Sequence, residues 1–180
     1  MAPAQASLLA KLDTQERVRD FLTNAVASGR ASHAYLFLGA PGAGKLDAAW
    51  ALAQAFLCEQ DGCGACDSCV RVARHTHPDV HYYTPESATG YLIAQTRELL
   101  DDVPLAPIRA KAKVYIIDRA EQLRANTANA LLQNSRGAAR GRYVHLAGSP
   151  SAVRDVAHHR EPLSVTCRFG WCRPRGRAGP

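Results

Sequence analysis

An apolar run, Ala34-Tyr35-Leu36-Phe37-Leu38, leads straight into Gly39-Ala40-Pro41-Gly42-Ala43-Gly44-Lys45, and the residues from about Lys45 to Cys58 read as a helix. A buried strand, a glycine-rich turn and a helix opening at a lysine form the strand–loop–helix unit of a phosphate-binding loop. The glycines let backbone N–H groups face a phosphate chain, and the helix start adds the positive end of its dipole. Gly39, Pro41, Gly42, Gly44 and Lys45 are therefore the expected nucleotide-holding residues, with Lys45 reaching the terminal phosphates as a point charge. A plain Gly/Pro turn with an incidental lysine is the alternative; the strand before and the helix after weigh against it.

The eighth position departs from the pattern. A hydroxyl is needed there to ligate magnesium, and Leu46 offers no oxygen. Asp47 follows, but on a helix its side chain leaves about 100 degrees further round. These residues are compatible with nucleotide binding and argue against magnesium-dependent hydrolysis.

The rest of the chain alternates helices and strands. Residues 13 to 29 read as a helix that Asp13 or Thr14 can cap, with Val18, Phe21, Leu22 and Val26 at helical spacing. Short strands are expected at Val80 to Tyr83 and at Lys113 to Asp118, and helices at Ile93 to Asp101 and Ala120 to Gln133. This order predicts an α/β fold with a parallel sheet covered on both faces. Asp118 closes its strand at the place of an acid that helps hold magnesium in phosphate-loop proteins; a strand-end or capping acid is its plainer reading. Arg119 follows and cannot act as a base. Glu121, two residues beyond Arg119, is expected to point elsewhere. With 180 residues the chain can bury one sizeable core. No apolar stretch approaches the roughly 20 residues of a membrane helix. Nothing resembles a signal peptide, so a soluble cytoplasmic protein is expected.

Cys58, Cys63, Cys66 and Cys69 fall within twelve residues, separated by glycine and small polar residues. Four thiolates at this spacing suit a tetrahedral zinc ion. Iron–sulfur clusters also use closely spaced cysteines; the position just after the loop helix favours structural zinc. His75, His77 and His81 are possible accessory ligands, but four cysteines close the site, which leaves the histidines to the surface. Cys167 and Cys172 fit no site.

Several stretches together resemble the clamp-loader AAA+ family of DNA polymerase III. They are Gly29 to Phe37 before the loop, the four-cysteine module, His77-Pro78-Asp79, Ile93 to Leu99, Lys113 to Asp118, and Ala128-Asn129-Ala130-Leu131-Leu132. The resemblance covers roughly residues 15 to 133. It implies a P-loop AAA+ (RecA-like) parallel sheet flanked by helices, with an inserted four-cysteine zinc module. In hydrolysing AAA+ members the residue after the strand-end aspartate is usually glutamate, which activates water; here it is Arg119. Two subunit types share the architecture: gamma/tau hydrolyses ATP, whereas delta-prime often has a degenerate site. Leu46 and Arg119 favour the delta-prime type, with a gamma/tau-like ATPase as the alternative. The resemblance further implies a ring with delta and gamma/tau that loads the sliding clamp on primed DNA, with ATP and structural zinc as ligands.

The net charge of +6 suggests a nucleic-acid binder until it is located. Residues 134 to 180 hold nine Arg, no Lys and two acids, Asp155 and Glu161; the preceding 133 residues sum to −1. This Arg-rich tail lacks helical or strand periodicity and reads as a non-domain segment after a partial AAA+ domain at 1 to 133. Free nucleic-acid binding through the tail is one explanation. A frame displaced by one base is another. In that frame Gln133 to Arg140 can encode Lys-Thr-Leu-Glu-Glu-Pro-Pro-Glu, which in the family typically follows Ala-Leu-Leu. Gly141 to Ala147 can then encode an apolar strand, and Val156 to Ser164 the Ser-Arg-Cys segment that in this family reaches a neighbour's ATP site. On this reading the domain is incomplete at its C-terminus and lacks its last two strands.

Overall fold

The computed structural model describes residues 7–12, 16–29, 31–137, 142–148, 165–168 and 171–173, and the side chains among them up to 131. Asp13 and Thr14, and the run from Val156 to Ser164, lie outside the described residues.

The helices are α1 (Glu16–Ala27), α2 (Lys45–Leu57), α3 (Asp67–Ala73), α4 (Ile93–Asp102) and α5 (Ala125–Gly137). The strands are β1 (Ala34–Leu38), β2 (Val80–Tyr83), β3 (Lys113–Ile117), β4 (Arg142–Gly148), β5 (Val165–Arg168) and β6 (Trp171–Arg173). They form one sheet in the order β2-β3-β4-β1-β5-β6. All pairings are parallel except β5 with β6.

β1 and β3 are buried along their whole length. Their side chains alternate between two apolar layers, as the two-residue period of a strand requires. Tyr35, Phe37, Val114 and Ile116 face the cluster built on α2. Leu36, Leu38, Tyr115 and Ile117 face Leu99 and Val103 near α4 and Ala128 and Leu131 of α5. Each large side chain so buried contributes about 2 kcal/mol. The expected parallel sheet with helices on both faces is the observed architecture. α2 is buried without interruption from Ala48 to Leu57, which explains why it is apolar on every side.

Three expectations are corrected. The helix read as continuous from Ala120 is a 3-10 turn, Ala120–Gln122, and then α5. Leu123 is extended between them, at φ −79 and ψ 135, which interrupts the helical hydrogen bonds. Residues 59 to 69, which the sequence reads as cysteine-rich and irregular, include the start of a helix, because α3 opens at Asp67 with Cys66 as its N-cap. The tail supplies strands where none was expected: β4 lies between β3 and β1, and β5 pairs the other side of β1. Tyr143-Val144-His145-Leu146 is a short strand-competent run, and it is the pairing on both sides, not local periodicity, that places it.

Buried polar groups tie the helices to the sheet. Lys113 is only 2% exposed. Its ammonium donates to the Asp102 carboxylate at 2.8 Å, which also accepts from the Tyr115 hydroxyl at 2.8 Å. Asp79 is fully buried, and its carboxylate accepts from the backbone N–H groups of Ile108, Arg109 and Ala110. Burial alone would raise the Asp79 pKa; these three donors outweigh it and hold the carboxyl below its usual range. The loop before β3 is thus fastened to the start of β2.

Candidate functional site

Two places in the fold concentrate chemistry. The first is the loop between β1 and α2. Gly42 and Gly44 take positive φ, 76° and 81°, which side chains rarely tolerate, and this turns the chain back into α2. Gly44 is the N-cap and offers no side chain to cap the first turn, so the helix start faces outward with its own N–H groups. The Lys45 ammonium arches over the loop and donates to the carbonyls of Gly39 at 2.8 Å and Ala40 at 2.7 Å.

A cavity of about 610 Å³ opens there, at the carboxyl ends of β1 and β3. Gly39, Pro41, Gly42, Gly44, Lys45 and Asp118 all line it, so every residue expected of the nucleotide site from sequence meets at one cavity. Carboxyl ends of parallel strands are where open α/β sheets bind ligands. The Asp118 carboxylate accepts the Arg119 N–H at 2.8 Å.

One sequence expectation fails at this cavity. Glu121 was expected to point elsewhere but lines the wall, because the tight 3-10 turn carries it back toward the loop. Asp47 also lines the cavity, despite its angular offset from Leu46. Leu46 and Arg119 face the same space. Among the described residues, the cysteines form the only group of three or more metal-competent side chains.

The second place is the cysteine module. The Sγ atoms of Cys58, Cys63, Cys66 and Cys69 all lie within 4.8 Å of one another. Individual separations are 3.6 Å for Cys58–Cys63, 3.8 Å for Cys58–Cys66 and 4.0 Å for Cys63–Cys69. Four sulfurs about 2.3 Å from one tetrahedral ion stand about 3.8 Å apart, so this arrangement fits a single metal ion. A cluster of several irons would hold its thiolates further apart. Backbone N–H groups support the sulfurs: Gln60 and Cys63 donate to Cys58, and Cys69 donates to Cys66. The N–H groups of Ala65 and Cys66 bring the Cys63 thiol down to about 6, which makes it a thiolate at neutral pH. Burial pushes Cys66 and Cys69 up.

The module is joined to the loop helix. Cys58 is the C-cap of α2. Gln54, 1% exposed on α2, donates to the Cys69 carbonyl at 3.1 Å and accepts the Leu8 N–H at 2.8 Å. Arg109 approaches Asp67 at 3.7 Å from the loop that Asp79 fastens. Gln54 carries no recognisable motif, and Asp79 was read only as the last residue of His77-Pro78-Asp79, with no hint of what it holds. The three histidines do not join the site. His75 stacks on Trp50 with ring centroids 3.9 Å apart. His77 is buried, contrary to the surface expectation, and its Nδ1 accepts the Asp79 N–H. His81 sits 3.5 Å from the Asp102 carboxylate.

The sequence model of the family described as "DNA polymerase III, delta subunit" matches residues 14–134. The chain is 40% identical over 124 residues to DNA polymerase III subunit delta' of Bacillus subtilis, covering 67% of this chain and 37% of that protein. It is 39% identical over 123 residues to subunit tau of Escherichia coli, covering 66% of this chain and 19% of that protein. Subunit gamma/tau of Mycobacterium tuberculosis is 36% identical over 123 residues, with 66% of this chain and 21% of that protein aligned. The chain spans about a fifth of the length of the tau relatives it matches and little more than a third of delta'. No helix among the described residues is long and apolar enough to cross a membrane.

Proposed function

The chain belongs to the clamp-loader family of DNA polymerase III, and from that premise we propose that it is the nucleotide-holding domain of a delta-prime-type subunit that does not hydrolyse ATP. The observation that carries this reading is the cavity wall. Leu46 stands where magnesium needs a hydroxyl, and Arg119 stands beside Asp118 where a water-activating base is needed. A gamma/tau-like ATPase would require both functions. Gly39, Pro41, Gly42, Gly44 and Lys45 hold the phosphates through backbone N–H groups and one ammonium. Cys58, Cys63, Cys66 and Cys69 hold a structural zinc ion that closes the end of α2. The partners are delta and gamma/tau subunits in the cytoplasm, and through that ring the sliding clamp and primed DNA.

The family match ends at residue 134, next to the point where the tail turns Arg-rich. This supports reading residues 134–180 as the product of a one-base insertion near Gln133. Sequencing the gene and removing the extra base tests the domain and partner assignments together. The restored, longer product is expected to co-elute with delta and gamma/tau. Absence of an open shifted frame ends the insertion reading. A restored product that stays apart from both subunits contradicts the assembly reading.

A further inference from the structure

We infer that Arg119 takes the place of the divalent cation, so that this cavity binds a nucleoside di- or triphosphate without magnesium. The inference rests on the nucleotide reading proposed above and concerns how that site balances charge.

The hydroxyl that helps hold magnesium in a phosphate-binding loop is replaced here by the aliphatic side chain of Leu46. Asp47, Asp118 and Glu121 line the same cavity. The Asp118 carboxylate accepts the Arg119 backbone N–H at 2.8 Å. A polyphosphate entering here therefore meets three carboxylates without the hydroxyl that would help hold a bridging metal.

Cationic charge in the lining comes from Lys45 and Arg119. With Asp47, Asp118 and Glu121 the formal lining charge is −1. An acid at position 119 would make it −3. The difference of two units equals the charge of one divalent cation. A guanidinium also offers several N–H donors in a plane that matches phosphate oxygens, which an ammonium does not.

Arg119 is placed for this role by its backbone. It adopts a left-handed conformation, φ 44° and ψ 51°, at the end of β3 and before the 3-10 turn. Such a conformation is costly for an arginine and is held by its surroundings, here the Asp118 cap and the turn. Arg119 lines the cavity together with the glycine loop. Lys45 and Arg119 thus flank the space from β1 and β3, two strands separated by β4.

Binding of a fluorescent ATP analogue to the full chain, in excess magnesium and in excess EDTA, tests the inference. The wild-type protein is expected to bind equally well in both. Arg119→Asn, chosen because asparagine tolerates the left-handed conformation, is expected to weaken binding in EDTA by about tenfold or more. Arg119→Lys is expected to recover part of that loss, and thermal melts of both variants should match wild type. Binding that requires magnesium, or that survives Arg119→Asn unchanged in EDTA, overturns the role of Arg119 alone. No binding under either condition, with Lys45→Ala indistinguishable from wild type, overturns the nucleotide reading with it.

Discussion

Chelating the zinc proposed for the cysteine module is expected to lower the melting temperature of the protein by more than about 10 °C, and adding zinc back to restore it. The size follows from where the module sits. Structural zinc in small domains is worth on the order of 10 kcal/mol, comparable to the whole stability of a domain. Here the four sulfurs meet in a loop that runs from the end of α2 into α3. Without the proposed ion, buried Cys58 and Cys69 would lose the centre that gathers them. The bond from Gln54 to the Cys69 carbonyl loosens next, and Gln54 also holds the Leu8 N–H. Damage therefore spreads from the module into α2 and the N-terminal turn. Cys69→Ser should reproduce the effect without chelator. A melt that chelator leaves unchanged would mean that the sulfurs meet for another reason.

Asp79→Ala is expected to destabilise the protein by about 3–5 kcal/mol, read as a shift in urea midpoint at constant slope. The substitution removes the acceptor of three backbone N–H groups at once, those of Ile108, Arg109 and Ala110. Asp79 is fully buried, so water does not readily replace it. Each orphaned donor costs about 1–3 kcal/mol. Hydrogen exchange should locate the change in residues 104–111 and, through Arg109 and Asp67, at the start of α3. Asp79→Asn keeps one acceptor oxygen and should cost less. A loss below about 1 kcal/mol for Asp79→Ala would show that the loop is held by other contacts.

These two residues mark the limit of what was legible in the chain. β1 and β3 were readable because each is a short apolar run with a turn on either side, and a buried parallel strand needs little else; β2, half-buried at the sheet edge, was readable from its valine and two tyrosines. The glycine loop and the cysteines were readable because their chemistry demands particular residues at close spacing. Asp79 and Gln54 were not, because their partners lie 29 to 31 and 15 to 46 residues away. Glu121 was misplaced because its direction depends on one tight turn. β4 was missed because its place between β3 and β1 is set by partners on both sides, while its own composition is ordinary. Long-range pairing has no local signature.

Recovery of nucleotide after incubation of the purified chain with ATP decides whether the cavity holds ATP without hydrolysing it. The prediction is one ATP retained per chain and released intact, with Lys45→Ala retaining none. Accumulation of ADP that Lys45→Ala abolishes would contradict it and identify a hydrolysing subunit instead.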